Sequence, residues 1–178
     1  VFNPLSVTTD KRSRRYFFNV QEIFVASPQT LITLGYARYD SFTRDVPQGQ
    51  DILRLSPFGN SGNAPSDIKR WGSRHVFLAN VAWRPNGRIL RGHQLKAGVD
   101  FTHATNRQDS QRSGFQHFNL RGLPTTLVTF GGSGKFSLSN LESSAYLQHG
   151  LTQRFMDWLV HTEAGLRFDK DTIIDGGA

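Results

Sequence analysis

With 178 residues, 14 Phe, 17 Gly, one Met and no Cys, the chain is long enough for one ordinary domain, and it excludes disulfide frameworks and thiolate metal sites. A net charge of +7 and a pI near 10.2 invite a nucleic-acid surface. The basic residues are scattered over 11–15, 84–91 and 107–121, however, and no helix carries a recognition face. No nucleic-acid partner is therefore expected, and cationic loops facing anionic lipid headgroups account for the charge. No run of about 18 apolar residues occurs, which excludes a transmembrane helix. The mean hydropathy of −0.43 does not argue against a membrane barrel, because alternating strands average their two faces. No charged start followed by an apolar stretch is present, so no signal peptide is expected. Both ends, Val1-Phe2-Asn3-Pro4 and Asp175-Gly176-Gly177-Ala178, read as cut from something longer.

In chain order, residues 14–26 are aromatic and β-branched and predict a strand. Its alternation slips: Tyr16, Phe18 and Val20 share one face, Ile23 and Val25 the other, and a bulge near Gln21 reconciles the halves. Ser27-Pro28-Gln29-Thr30 is a tight turn, and residues 31–42 return with Ile32, Leu34 and Tyr36 on one side. Residues 43–73, polar and rich in Gly, Pro, Asn and Ser, predict a long loop.

A third strand spans 74–84, with Phe77, Ala79, Val81 and Trp83 on one face. Arg84-Pro85-Asn86-Gly87 then starts a turn. Over 92–105, Leu95, Ala97, Val99 and Phe101 oppose Gln94, Lys96, Gly98, Asp100 and Thr102. A second long loop covers 107–139, including Thr126-Leu127-Val128-Thr129-Phe130 and Gly131-Gly132-Ser133-Gly134. Strands follow at 141–150 and from 157, with a turn over 151–156.

The last strand has the sharpest contrast between faces. Trp158, Val160, Thr162, Ala164, Leu166 and Phe168 oppose Asp157, Leu159, His161, Glu163, Gly165, Arg167 and Asp169. Trp158 to Phe168 is roughly 33 Å of extended chain, or about 25 Å of height at a tilt near 40°, which matches the apolar band of an outer-membrane barrel.

The expectation is an all-β, antiparallel up-and-down meander of about six strands, with hairpins at 14–42, 74–105 and 141–169, forming a partial wall of a large transmembrane β-barrel. Connections of about 4, 31, 7, 35 and 6 residues alternate short and long, as periplasmic turns and extracellular loops do. Two such loops would be unusual in a compact soluble domain. Trp83 and Trp158 both lie beside short turns, where an aromatic girdle belongs.

The segments HQLKAGVDF (93–101), LVTFGGSG (127–134) and ESSAYLQHGLTQRFMDWLVHTEAGLRFD (142–169) resemble the β-barrel of TonB-dependent outer-membrane receptors, nearest in flavour to the Oar-like branch. The resemblance covers 74–171 well and 14–42 loosely. It implies a share of a 22-strand barrel with a plugged lumen, in a Gram-negative outer membrane. It also implies energised uptake of an unspecified solute. The implied partners are outer-membrane lipid and lipopolysaccharide, a plug domain of the same full-length protein, and the TonB complex through segments outside this chain.

Lys96, Asp100, His161, Glu163 and Arg167 are the candidate lumen-facing polar residues. Trp83, Leu95, Val99, Phe101, Trp158, Val160, Leu166 and Phe168 are the candidate lipid-facing or girdle residues. Phe58, Arg70, Trp71, Arg107, Arg112 and Phe115 are candidate loop contacts for a ligand. His161 and Glu163, two apart on one face, are too few for a metal site. Ser143-Ser144 lacks the glycines of a nucleophile elbow. The run 131–135 lacks phosphate-loop spacing. No catalytic residue, metal or cofactor is expected, nor enzymatic activity. The alternative is a soluble β-sandwich or β-barrel that binds a carbohydrate or apolar ligand.

Overall fold

The computed structural model describes residues 4–87, 90–132 and 134–175; Ser133 of the glycine-rich run lies outside them. A short 3₁₀ turn (Leu5–Val7) leads into β1 (Thr9–Ser27), β2 (Thr30–Pro47), β3 (Leu53–Leu55), β4 (Ser66–Trp83), β5 (His93–Arg112), β6 (Phe115–Phe118), β7 (Pro124–Val128), β8 (Lys135–Phe155) and β9 (Trp158–Asp175). Six long strands form one antiparallel sheet in the order β1-β2-β4-β5-β8-β9, the expected up-and-down meander. The sheet is open, with β1 and β9 at its edges. The three short strands form a second sheet in the order β3-β6-β7, with β3 parallel to β6.

Directly paired residues on neighbouring strands share a face, so the register carries one chemistry across the whole sheet. Val99 pairs Ala79 and Ala145, Ala79 pairs Leu34, and Ala145 pairs Phe168. On the other face Asp100 pairs Ser144, which pairs Asp169. One surface is therefore apolar and the other polar.

Neither surface is covered. Among the described residues only Leu53 and Ala64 are buried hydrophobics, and both belong to the β2–β4 connection, not the large sheet. Leu166 is 81% exposed, Trp158 75% and Phe168 70%. The accessible surface is 13176 Å², against about 8,700 Å² expected for a folded monomer of 20.0 kDa. A sheet normally buries its apolar face against another layer; here none of the described residues forms a layer over it.

The apolar zone crosses the sheet at an angle to the strands. On β1 it covers 16–24 and centres on Val20, in register with Phe101 of β5 through Tyr36 and Phe77. On β5 it covers 95–101. On β9 it covers 158–168 and centres on residue 163, in register with Gln94 through Gly150. The centre thus drifts by about 1.4 residues per strand, ~4.6 Å along the strand for every ~4.8 Å across it, a slant of about 45°.

Several sequence expectations are corrected. No bulge occurs near Gln21: β1 pairs β2 without interruption from Thr9 to Val25, and the register shifts only between Val25 and Ser27. The continuous ladder puts Glu22 on the apolar surface between Val20 and Phe24, and Ile23 and Val25 on the polar one. The connections expected at 43–73 and 107–139 shrink to 48–65 and 113–134, because β2, β4, β5 and β8 run on through polar sequence. Where both faces of a strand are polar, the hydrophobic alternation that marks it disappears. The remaining connections hold β3, β6 and β7. The last turn is not 151–156 but Met156-Asp157, with Met156 at φ 53.

Candidate functional site

The polar surface carries two polar groups spanning β5, β8 and β9, and a separate contact from β8 to β4. Gln148 Nε2 donates to Glu163 Oε2 at 2.8 Å, and His161 Nε2 lies 3.1 Å from Glu163 Oε1. Lys96 Nζ reaches the same carboxylate at 4.0 Å, and Thr152 Oγ1 lies 2.8 Å from His161 Nδ1. Farther along the strands, Arg167 donates through Nε to Asp169 (2.8 Å) and through an NH2 group to Ser144 Oγ (3.1 Å). Ser144 in turn donates to Asp100 Oδ2 (3.1 Å), and Arg167 approaches Asp100 at 4.0 Å. Lys96, Asp100, His161, Glu163 and Arg167 are thus brought onto one face in two groups: His161 and Glu163 in hydrogen-bond contact with Lys96 at ion-pair distance, and Asp100 and Arg167 joined through Ser144.

A tyrosine bridges the centre of that face. Tyr146 OH donates to Asn80 Oδ1 at 3.1 Å, across Gly98, which pairs both residues. A Cβ at Gly98 would stand 2.1 Å from Asn80 Oδ1 and 2.5 Å from the Tyr146 ring. The glycine lets the ring lie flat over the backbone and cover it.

The connection end of the sheet is organised differently. Asn63, buried, accepts from the Asp51 backbone N–H (2.9 Å) and donates to the Ser6 carbonyl (3.0 Å), tying the first connection to the chain entering β1. Arg44 grips Asp67 with two hydrogen bonds of 3.0 and 2.5 Å. That guanidinium holds the Asp67 carboxyl below its ordinary range, against a smaller opposing effect of desolvation. A carboxylate with a lowered folded-state pKa contributes stability above its unfolded value and loses it as pH falls through the folded one. Hydrogen-exchange protection of the β2–β4 rim, corrected for intrinsic rates, is therefore expected to drop once the pH falls below about 4. Asp67→Asn is expected to remove that pH step while lowering protection at neutral pH; an unchanged step in the variant contradicts the assignment.

Of the residues expected in loops, Arg70, Trp71 and Arg107 lie instead in β4 and β5. Arg70 sits on the polar face, held by Asp45 (2.7 Å) and Gln108 (3.1 Å). Trp71 and Arg107 pair on the opposite face, with Trp71 against Phe42 at 5.6 Å between ring centroids. Arg112, the last residue of β5, lies 5.4 Å over the Phe130 ring, which is 6.0 Å from Phe115 in β6. Phe58 is 74% exposed and stands apart from that cluster. The eight girdle candidates all fall on the apolar surface, with Trp83 paired to Leu95 and Val99 two pairs farther on.

Sequence reading missed two histidine pairs on the apolar side. His93 Nδ1 lies 2.8 Å from His149 Nε2, and His75 stacks on His103 at 6.5 Å. His93 and His103 bracket the apolar run of β5, one beyond each end; equal spacing from Leu95 and Phe101 was the available signal. Among the described residues no group of three or more His, Cys, Asp or Glu is placed to hold a metal ion, and no helix is long and apolar enough to cross a membrane. No protein-family model matches the chain, and no curated protein is found similar to it.

Proposed function

We propose that the chain is part of the wall of a large outer-membrane β-barrel of the TonB-dependent receptor kind, serving energised uptake of a solute. The observation that carries this reading is the uncovered apolar band running at about 45° to six strands. Barrel closure demands a strand tilt of about 35–45°, and a flat lipid layer then meets a tilted sheet along such a diagonal.

Strands of 18 to 21 residues rise roughly 45 Å at that tilt, about 20 Å more than the apolar band. The surplus lies at the connection end, which the reading makes the outer side. The polar face becomes the lumen wall, where paired charges of both signs line water or meet a plug. Substrate capture then belongs to the rim and to parts of the protein beyond this chain, and no residue here takes a catalytic role. A soluble binding module would need a second layer over the apolar face, and the described residues supply none.

The three tryptophans test the placement. Trp83 and Trp158 sit at the turn side of the band, whereas Trp71 is about 20 Å from its centre on the far side. With the complete barrel that the reading implies reconstituted in bilayers and every other tryptophan replaced, brominated acyl chains are expected to quench a variant retaining only Trp83 or Trp158, and to leave one retaining only Trp71 unquenched. Equal quenching of all three, or of none, contradicts the reading.

A further inference from the structure

The polar surface changes composition toward the connection end. Across β1, β2, β4 and β5, from the row of Lys11 down to the row of Thr102, it carries the cations Lys11, Arg15, Arg70 and Arg74 and a single carboxylate, Asp45. Lys11 pairs Asp45 directly, and Asp45 also holds Arg70 at 2.7 Å. Arg74 has Glu142 of β8 near it, at 3.8 Å, and its side chain is 55% exposed. Arg15 has no ion pair among the described residues. Asp171 and Asp175, on the same surface, stand on β9, three strands from Gly72 and at least ~14 Å across the sheet.

The three arginines surround a residue without a side chain. Gly72 lies midway between Arg70 and Arg74 on β4 and pairs Ser41, which pairs Arg15. On its other side Gly72 pairs Asn106. Arg70 and Arg74 are therefore ~13 Å apart at their Cα atoms, and Arg15 is ~10 Å from Gly72 across two strand spacings. Long arginine side chains close such distances onto one small ion held over the glycine. Ser41 Oγ donates to the Gly72 carbonyl at 3.4 Å, a long hydrogen bond that a better acceptor displaces. A Cβ at Gly72 would stand 2.7 Å from that hydroxyl and 3.4 Å from Asn106 Oδ1, so a side chain there closes the hollow.

We propose that this hollow binds an oxyanion, a carboxylate or phosphate group carried by the solute. The proposal rests on the barrel-wall reading above and gives the solute its charge. Guanidinium groups meet such anions through paired, charge-assisted hydrogen bonds, and the Ser41 hydroxyl and Asn106 amide add neutral donors. Gly72 lies about eight residues beyond the centre of the slanted band on β4, ~20 Å above the midplane at the barrel's tilt, against a hydrocarbon half-thickness of ~12 Å. The hollow therefore opens at the outer mouth of the lumen, in water. A cationic recess of this kind concentrates anions from the medium.

The test uses the complete barrel that the reading implies, in phosphatidylcholine nanodiscs. Inorganic phosphate and acetate are the probes, and binding is read from the broadening of their phosphorus and carbon NMR lines. The wild-type protein is expected to bind at least one of them saturably, and the ratio of the two affinities distinguishes a phosphate site from a carboxylate site. Arg15→Gln and Arg74→Gln should each weaken binding by about tenfold. Gly72→Val should abolish it at unchanged net charge. Arg154→Gln removes the same charge from the same surface at the turn end of β8, and should leave binding as it is.

Equal losses in R154Q and R74Q, or a wild-type protein that binds neither anion saturably, overturn the proposal while leaving the barrel-wall reading intact. Failure of the wild-type protein to insert in the bilayer overturns the barrel-wall reading and the proposal with it.

Discussion

Arginine at Leu34 is expected to destabilise the bilayer-inserted barrel of which this chain is a part by about 2–4 kcal/mol, whereas arginine at neighbouring Thr33 should cost under ~1 kcal/mol. Leu34 lies at the middle of the β2 apolar run, paired with Glu22 and Ala79, and is 53% exposed. Its new guanidinium would sit near the bilayer midplane, too deep to reach headgroups without distorting the sheet or the lipid. Thr33 points to the other face, paired with Ile23 and Asn80, where a cation finds water. The two substitutions share a strand and a charge, and both are made with Glu22→Gln, because Glu22 pairs Leu34 directly and would otherwise neutralise the new guanidinium at that position alone. Denaturant titration in lipid vesicles measures the difference. Equal costs at the two positions would show that the two faces meet the same solvent.

The second large effect concerns the chain in plain buffer, where it is expected to form β-rich aggregates, not a soluble monomer. Side chains such as Leu147, Leu166 and Phe168 are largely exposed, and Phe77 and Phe101 nearly half so. Each forgoes roughly 1.5–3 kcal/mol by remaining in water. A handful of such terms equals the ~5–15 kcal/mol net stability of an ordinary domain. The open edges of β1 and β9 add unpaired backbone groups for another copy to pair with. Sedimentation velocity distinguishes the outcomes: a monodisperse 20 kDa species that unfolds cooperatively would speak for a soluble module instead.

How much could be read before any coordinates follows from which solvents each strand faces. β5 and β9 were legible because one side of each is apolar and the other polar, so period 2 survives in the sequence. The upper parts of β2 and β4, residues 43–47 and 66–73, were not. Their few apolar residues, Val46, Ile68 and Trp71, are split between the two faces, and the Gly, Ser, Arg and Asp around them resemble loop composition. β3, β6 and β7 are three to five residues long and pair across two separate connections, which no local pattern encodes. Glu22 misled in the other direction: a carboxylate on the apolar face imitates a register slip.

The site divides in the same way. The faces of His161, Glu163 and Arg167 follow from alternation alone, and so does the approach of His161 to Glu163. Their links to Lys96, Gln148, Ser144 and Asp100 depend on how far β8 slides against β5 and β9. The cross-strand row Arg12, Arg44, Lys69 and Asp109 is wholly a property of register, since its members are separated by 32, 25 and 40 positions in the chain.

Because the chain has no cysteine, a single-cysteine nitroxide scan tests the barrel-wall account most directly. Accessibility to oxygen, which partitions into lipid, is compared with accessibility to a water-soluble nickel complex in reconstituted bilayers. The account predicts period-2 alternation along β5, with oxygen favoured at Leu95, Ala97, Val99 and Phe101 and nickel at Gln94, Lys96 and Asp100. It further predicts that the deepest label falls at Val20 on β1 and at Thr162 or Ala164 on β9, displaced along the register by the 45° slant. Nickel access on both faces, or a depth maximum in the same register row on every strand, would contradict it.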